Sequence, residues 1–234
     1  MGERLDKFLA SQGLGTRKEV GKLIRSGAVL VNGAPQRDPG AKVEPGADQV
    51  TAQGEEIRYQ EFLTIMLNKP AGVLSTTEDR RQKTVLDLLP EGLRRRGLFP
   101  AGRLDKDTTG LLLITDDGEL AHKMLSPKSH VYKQYRAQLD APVEEADIQA
   151  FAAGVAWEGE QYAPARLWVE QDPRAAFVEI REGRFHQVKR MFQARGKTVL
   201  QLKRLKIGGL WLDSTLQEGE CRLLTPQEIQ AIFH

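Results

Sequence analysis

The chain has 234 residues, of which 40% are hydrophobic and 28% are charged. This composition is typical of a folded globular protein and excludes an intrinsically disordered chain. The formal net charge is only +2, so total charge does not indicate a partner. The one cysteine, Cys221, excludes an internal disulfide and a cysteine-based metal site, which fits a reducing compartment.

Metal-dependent and membrane proteins are also disfavoured. The four histidines show no HxxxH or HExxH spacing, so we expect no catalytic metal. No apolar run approaches the roughly 20 residues that a membrane helix needs. The first residues lack an apolar signal core and the Ser or Thr of a myristoylation signal. We therefore expect a cytoplasmic protein without membrane association.

The first sixty residues predict a small module of helices and strands. Leu5, Phe8 and Leu9 have the spacing of an apolar helical stripe. Thr16 and Glu19 form a capping box that predicts the start of a second helix. A strand over 28–31 leads into the tight turn Asn32-Gly33, a further strand is expected at 49–51, and the polar segment 55–61 is predicted to be a linker. The exposed side of the second helix carries four cations, Arg17, Lys18, Lys22 and Arg25.

A second domain is predicted to begin near Phe62. Its sequence predicts strands over 64–68, 111–115, 132–139, 165–170, 177–181 and 199–207, and helices over 119–125, 144–153, 185–195 and 226–233. Strands and helices do not alternate regularly. We therefore predict an α+β protein in which residues 62–234 form a mixed, largely antiparallel sheet flanked by helices, preceded by a small domain of residues 1–60.

The segment from Gly102 to Leu113 is the most informative motif. It places Asp105 and Asp107 in a polar turn directly before an apolar run. Carboxylates next to a buried strand must be hydrogen-bonded or ion-paired. An ordinary turn rich in Asp, Thr and Gly explains the motif about as well as a catalytic site does.

Charge is distributed unevenly along the chain. Residues 1–42 contain eight Lys or Arg against four Asp or Glu, and residues 181–210 contain nine against one. Two basic blocks suggest a polyanion-binding surface in two parts. On the predicted helix 185–195, Phe185, Val188 and Phe192 share an apolar face, and a cation on the adjacent polar face could pair with Asp105 and keep it ionised.

Three motifs together resemble the RNA pseudouridine synthases of the RsuA family. They are Gly-Arg-Leu-Asp at 102–105, Lys-x-Tyr at 133–135 and Gly-Arg-Phe-His-Gln-Val-Lys-Arg at 183–190. The first sixty residues resemble the RNA-binding domain named after ribosomal protein S4. The resemblance covers nearly the whole chain, with the motifs in the family's order.

The resemblance implies a role for individual residues. Asp105 corresponds to the family's nucleophile, Tyr135 to the tyrosine that stacks on the target base, and Lys189 to the cation that pairs with the nucleophile. Many relatives have Arg where this chain has Lys189, so adjacent Arg190 is an alternative partner. Arg103 resembles a residue implicated in base flipping, and RNA contacts are also expected from Arg17, Lys18, Lys22, Arg25, Arg184 and Arg190.

The implied reaction converts uridine to pseudouridine in ribosomal RNA, with no cofactor and in a monomer. The glycosidic bond between carbon and nitrogen breaks, the uracil turns, and a ring carbon takes the place of the nitrogen. The target must first leave the helical stack, at a cost of a few kcal/mol. The sequence leaves open whether the carboxylate attacks the base or the sugar.

Two other functions compete with this one. Asp105-Lys106-Asp107-Thr108 also fits the nucleophile loop of haloacid-dehalogenase-type phosphatases. That fold needs a hydrophobic strand directly before the first Asp, where this chain has Pro100 and Gly102. A non-catalytic RNA-binding or ribosome-assembly protein would explain both basic blocks but gives no reason for the pair Arg103 and Asp105.

The substrate within the family is predicted from two further features. Ser126-Pro127 resembles the small-subunit members, whereas large-subunit relatives more often have His-Pro there. The sequence also stops soon after Phe233, without the basic tail of several large-subunit members. We therefore expect a uridine in 16S ribosomal RNA, with a 23S uridine as the alternative.

Overall fold

The computed structural model describes residues 2–57 and 59–234. The chain forms two compact units, one spanning Met1–Leu63 and Leu89–Leu98, the other spanning Thr64–Leu88 and Phe99–His234. Nothing in the sequence predicted that the segment 89–98 would join the first unit. None of the helices in the described residues combines the length and hydropathy needed to cross a membrane.

The first unit packs two helices and a small antiparallel sheet around one apolar core. Within the sheet the strand order is β3-β2-β5-β6, and β1 pairs separately with β4. In chain order the elements are β1 (Glu3–Arg4), α1 (Leu5–Ser11), α2 (Arg17–Arg25), β2 (Val29–Val31), β3 (Ala34–Gln36), β4 (Lys42–Val43), β5 (Val50–Ala52) and β6 (Glu55–Glu56).

Most of the local sequence patterns in this unit form the structures that they predicted. The capping box at the start of α2 is present, with the Glu19 N–H bonded to the Thr16 side chain and the Glu19 carboxylate accepting from the Thr16 N–H. Asn32 and Gly33 both have positive φ, which makes the tight turn between β2 and β3. The predicted linker was partly wrong, because Glu55–Glu56 pairs with β5 as an edge strand. Arg58 of that segment lies outside the described residues.

The second unit is built on one large sheet with the strand order β13-β14-β10-β15-β9-β7-β17, to which β16 and β8 add at β15 and β9. Its elements are β7 (Thr64–Lys69), β8 (Phe99–Pro100), β9 (Thr109–Thr115), α3 (Gly118–Leu125), β10 (Lys133–Leu139), α4 (Glu145–Ala153), β11 (Ala156–Trp157), β12 (Glu160–Gln161), β13 (Arg166–Val169), β14 (Ala175–Ile180), α5 (Gln187–Gln193), β15 (Val199–Ile207), β16 (Leu210–Trp211), β17 (Cys221–Leu223) and α6 (Pro226–Ala231).

The predicted fold class is confirmed. Among the described strands of this sheet the β9–β15 pair is parallel, whereas the other pairs are antiparallel. All of β7 is buried, including the polar residues Thr64, Asn68 and Lys69 on either side of its apolar centre 65–67. Strand β10 instead alternates, with Tyr135 and Ala137 buried and Arg136 exposed.

The start of helix α5 differs from the prediction. The helix begins at Gln187 rather than Phe185, because His186 has a left-handed backbone with φ of 52°. Phe185 therefore lies in the turn before the helix, where it is 65% exposed and stacks on the His186 ring with centroids 3.7 Å apart. Its predicted place on the apolar helix face was wrong, although Val188 and Phe192 are buried there.

Gly110 is required where strands β7, β9 and β15 meet. It pairs with Lys69 on one side and with Arg204 on the other. Its φ is +97°, and a Cβ atom there would lie 2.2 Å from the Arg204 carbonyl oxygen. Only glycine fits, because both the close approach and the backbone angle exclude a side chain.

We predict that Gly110→Ala lowers the free energy of unfolding by at least about 2 kcal/mol, because steric overlap and positive φ each carry a cost of that order. Urea unfolding would measure the change. Gly118→Ala is the matched control, since nothing lies within 4 Å of its added Cβ and it starts helix α3. Equal unfolding midpoints for the two variants would contradict the prediction.

Candidate active site

A buried lysine, Lys69, binds the main chain of the loop that carries Asp105. Lys69 is fully buried at the end of β7. Its Nζ donates hydrogen bonds to the carbonyl oxygens of Pro70 at 3.0 Å, Lys106 at 3.2 Å and Thr108 at 2.9 Å. Burial lowers the pKa of Lys69 to about 8, and the nearby carboxylates of Asp107 and Asp105 oppose that shift. The ammonium group therefore holds both sides of the Asp105–Thr108 turn.

Further hydrogen bonds complete this support. Ser75 Oγ donates to the Leu104 carbonyl at 2.8 Å and accepts from the Leu104 N–H at 3.1 Å. The Gly72 N–H donates to the Lys106 carbonyl at 2.8 Å, and the Thr108 N–H donates to the Asp105 carbonyl at 3.1 Å. Because its main chain is bonded on both sides of Asp105, the loop presents that carboxylate from a defined backbone.

Asp105 lies between two side chains of the segment around α5. Lys189 Nζ is 3.2 Å from Asp105 Oδ2, and His186 Nε2 is 3.5 Å from Oδ1. The Asp105 side chain is 26% exposed, so the carboxylate is partly shielded yet still accessible. The left-handed turn at His186 is what allows residues on both sides of the helix start to reach it.

Lys189 also binds the second carboxylate of the motif. Its Nζ donates to Asp107 Oδ1 at 2.6 Å. This hydrogen bond is the main reason that the pKa of Asp107 lies below its usual range. Although burial of Lys189 works in the opposite direction, its bonds to Asp107 and Asp105 raise the pKa of the ammonium. Lys189 therefore stays charged and ties the two aspartates together.

Arg190 and Arg184 point to a different acidic group. Arg190 Nη1 lies 3.3 Å from Glu160 Oε1 and 3.3 Å from the Tyr162 hydroxyl. Arg184 Nη2 lies 3.0 Å from Glu160 Oε2. The alternative pairing of Arg190 with Asp105 is thus absent in the described residues. The second basic block is also less unbalanced than its sequence indicated, because other elements supply its acidic partners.

A cavity of about 620 Å³ opens beside Asp105. Loop, strand and helix residues line it, and the predicted residues Arg103, Asp105, Tyr135 and Arg184 are among them. Lys189 contacts Asp105 from outside this lining. The volume is within the range of small-molecule sites, so it can accept a single nucleotide base.

Tyr135 lies in the wall of this cavity with only 8% of its surface exposed. Arg204 Nη1 donates to the Tyr135 hydroxyl at 3.4 Å, and Arg204 Nε donates to the Leu111 carbonyl at 2.7 Å. Arg204 Nη2 is buried and has no hydrogen-bond partner in the described residues. A cation with a free N–H beside the cavity can serve an anionic or carbonyl group of a ligand.

Three cations of the site, Lys69, Lys133 and Arg204, were not predicted from the sequence. Lys133 is 7% exposed in the cavity wall, where burial and then Arg204 lower its pKa to about 8. A signal was available for two of them: Lys133 is in phase with the inward-facing Tyr135 and Ala137, and Arg204 with Leu202. A cation at an inward-facing strand position needs a partner or a ligand. No pattern marked Lys69, which seemed only to end a strand.

The predicted RNA-binding residues of the first unit lie on helix α2. Lys18, Lys22 and Arg25 are exposed. Arg17 is different, because its Nη2 lies 3.0 Å from Asp6 Oδ2. Arg4 and Arg17 together hold the pKa of the Asp6 carboxyl at about 2, with the Arg4 hydrogen bond the largest cause. Arg17 thus has a structural ion pair as well as an exposed side chain.

Metal chemistry has no visible site here. Within residues 2–57 and 59–234, no three His, Cys, Asp or Glu side chains are grouped so that they could hold a metal ion.

Known proteins resemble this chain over its whole length. A family model described as RNA pseudouridylate synthase matches residues 63–194, and the S4 domain matches residues 3–48. The chain is 46% identical to an uncharacterized RNA pseudouridine synthase of Bacillus subtilis, and this match covers 98% of each chain. It is 42% identical to the ribosomal small subunit pseudouridine synthase A of Vibrio cholerae, and that match covers 98% of this chain and 99% of the relative.

A solved structure supports the same assignment. It is a crystal structure of a pseudouridylate synthase, 40% identical in sequence, which matches with a TM-score of 0.68 over 98% of this chain and 99% of the other. From the family model, the full-length relatives and the shared fold, the chain belongs to the RNA pseudouridine synthases of the RsuA family and carries an RNA-binding S4 domain.

Proposed function

We propose that Asp105 is the nucleophile with which this enzyme converts one uridine of 16S ribosomal RNA to pseudouridine. The observation that carries the proposal is the position of its carboxylate. Asp105 stands on a loop held by Lys69 and Ser75, contacts Lys189, and borders the 620 Å³ cavity. A carboxylate that contacts the Lys189 ammonium group and is held next to a base-sized cavity is suited to nucleophilic attack.

The chemistry requires a carboxylate that is held in place. His186 Nε2 and Lys189 Nζ lie within 3.5 Å of Asp105 Oδ1 and Oδ2 respectively, so each carboxylate oxygen faces a side-chain nitrogen of the segment around α5. Attack by an Asp105 oxygen on the base or on the sugar would permit cleavage of the bond from carbon to nitrogen. The uracil then turns in the cavity, and its C5 forms the new bond to C1′ of the sugar while the bond to Asp105 breaks, the proton on C5 is lost and N1 gains a proton.

The cavity wall offers groups that suit a flipped uracil. Tyr135 presents an aromatic ring, and stacking on such a ring is worth roughly 1–3 kcal/mol per base. Arg204 also lines the cavity and supports this ring by donating from Nη1 to the Tyr135 hydroxyl. Exposed Arg103 at the cavity rim is placed to support the strand from which the nucleotide has flipped. These contacts would offset the cost of unstacking.

The 16S assignment is supported by relatives and by one motif. The Vibrio cholerae relative, 42% identical over its whole length, is named for the small ribosomal subunit. Ser126-Pro127 is the form of that motif that resembles small-subunit enzymes. Residues 1–60 are proposed to bind RNA and residues 62–234 to catalyse. A monomer in the cytoplasm suffices, since Asp105, Tyr135 and Lys189 come from one chain.

The first test removes the nucleophile. Asp105→Asn is nearly isosteric, so pseudouridine formation in 16S RNA should fall by at least about a thousandfold while RNA binding persists. Asp107→Asn is the matched control, and its rate should stay within about tenfold of wild type. Single-turnover assays would measure both, with pseudouridine separated from uridine by chromatography of the digested nucleosides. Comparable rates for Asp105→Asn and wild type would exclude Asp105 as nucleophile, and RNA binding without any wild-type product would favour an assembly protein.

The second test concerns Lys189. Lys189→Met removes the charge while keeping much of the stem, so activity should fall about tenfold or more, the size of effect that one charged contact can have. The pKa of Asp107 should return toward its usual range, as read from an NMR titration of its carboxyl carbon. Lys189→Arg should recover part of the activity. Arg190→Met is the control, because Arg190 pairs with Glu160. If Arg190→Met lowered the rate and Lys189→Met did not, the proposed pairing would be wrong.

The third test concerns the first unit. Substitution is preferable to deletion of residues 1–60, because segment 89–98 packs as part of that unit. Lys18→Gln/Lys22→Gln should reduce the slope of log affinity against log salt by about 0.7–0.9 for each lost phosphate contact. Lys7→Gln/Lys42→Gln removes the same charge from other positions of the unit. Identical slopes for the two double variants would show that α2 has no special role in RNA binding.

A further inference from the structure

One face of the large sheet is turned away from the catalytic cavity. Side chains alternate along β10, so that Lys133 and Tyr135 line the cavity while Arg136 points the other way and is exposed. The same alternation places Lys203 opposite to Arg204 on β15. The outer face of this half of the sheet therefore has its own set of side chains, none of which has been given a role so far.

Four of these side chains form a single row across four strands. Trp168 pairs with Phe177, Phe177 with Arg136, and Arg136 with Lys203 in the strand register. At about 4.8 Å between neighbouring strands, the row is about 14 Å long. The Trp168 and Phe177 rings stack with centroids 5.6 Å apart and an angle of 14° between their planes. Two aromatic rings at one end and two cations at the other make a surface about the length of a few nucleotides.

The cationic end of the row places two like charges opposite each other. Like charges directly opposite each other on an antiparallel pair are destabilising. Neither Arg136 nor Lys203 forms a side-chain ion pair in the described residues, and Lys206, three residues further along β15, stands over the Trp211 ring at 5.2 Å. Arg166 on the same face differs, since its Nη1 is 3.5 Å from Glu179. An anionic ligand between Arg136 and Lys203 would remove this repulsion.

A second cavity joins this row to the catalytic loop. It has a volume of about 410 Å³, and its polar lining consists of Arg136, Lys203, Gln138, Gln201, Thr109, Asp107 and Glu218. Asp107 is two residues from Asp105, which borders the first cavity. The loop 105–109 thus separates two cavities, one suited to the target base and the other with two cations and two amides on β10 and β15 beside the carboxylates of Asp107 and Glu218. A strand that enters one cavity can continue into the other.

We propose that this outer sheet face binds an unpaired stretch of the substrate RNA next to the target nucleotide. Phosphates lie between Arg136 and Lys203 in the second cavity, and a neighbouring base contacts the aromatic pair Trp168 and Phe177. The inference rests on the proposed function, because the strand must reach the face from the nucleotide at Asp105. RNA is the occupant that fits, since cations next to stacked aromatic rings match phosphates next to bases.

The test compares two double variants matched for lost charge. Arg136→Gln/Lys203→Gln should lower the slope of log RNA affinity against log salt by about 1.5. It should also raise KM several-fold for an RNA that the wild-type enzyme modifies. The single-turnover rate at saturating RNA should not change, because neither side chain touches the reacting nucleotide. Lys123→Gln/Lys128→Gln removes two exposed cations elsewhere and should leave slope and KM at wild-type values. Equal slopes for both double variants would overturn the proposal.

A second measurement separates this proposal from the proposed function. Wild-type protein is treated with an acetylating reagent with and without naked 16S RNA fragments, and lysine modification is read by mass spectrometry. Protection of Lys203 and Lys206 but not Lys123 supports the RNA surface, whether or not pseudouridine forms. Turnover without protection leaves the proposed function standing and overturns the surface. Protection only within an assembling ribonucleoprotein would assign the face to a protein partner and also overturn it.

Discussion

The buried ammonium group of Lys69 is the interaction on which the catalytic unit depends. It lies at the end of a fully buried strand and donates three hydrogen bonds to main-chain carbonyls, two of which belong to the loop that carries Asp105. A buried cation costs free energy unless its donors are satisfied. Here three main-chain carbonyl oxygens accept hydrogen bonds from the Lys69 ammonium group. The free-energy cost of burying this charge is therefore offset only when the loop has its folded conformation. Loop conformation and strand burial are thereby coupled.

Charges around the site are balanced between elements that are distant in sequence. Lys189 from α5 binds both aspartates of the loop, while Arg184 and Arg190 share Glu160 from the β11–β12 hairpin. The cavity itself keeps two buried cations, Lys133 and Arg204, without a carboxylate of their own among the described contacts. This arrangement leaves Asp105 paired and directs the remaining positive charge toward the cavity. Such preorganised charge is the main way in which proteins stabilise charge that develops in a reaction.

Two backbone features decide how these groups meet. The positive φ and missing Cβ of Gly110 let β9 pair closely with Lys69 of β7 on one side and with Arg204 of β15 on the other. The left-handed residue His186 starts α5 late, which puts Phe185 in solvent and turns His186 toward Asp105. Neither feature has a periodic sequence signal. Helix prediction relied on the spacing of Phe185, Val188 and Phe192, and a spacing rule cannot detect a change of backbone hand at one residue.

The sequence by itself determined the α+β class, the family and most of the elements, because apolar periodicity, capping boxes and the Asn32-Gly33 turn act over a few residues. The S4 domain and the three motifs were recognisable for the same reason: each is a short contiguous pattern. Only the tertiary structure decided which cation contacts Asp105 and that Arg190 pairs with Glu160. It also decided that the Lys69 side chain is buried beneath the loop and that segment 89–98 belongs to the first unit. These contacts join residues up to 84 positions apart, as between Asp105 and Lys189 or Ser11 and Arg95. Register and burial set such distances, and no local pattern in the chain encodes them.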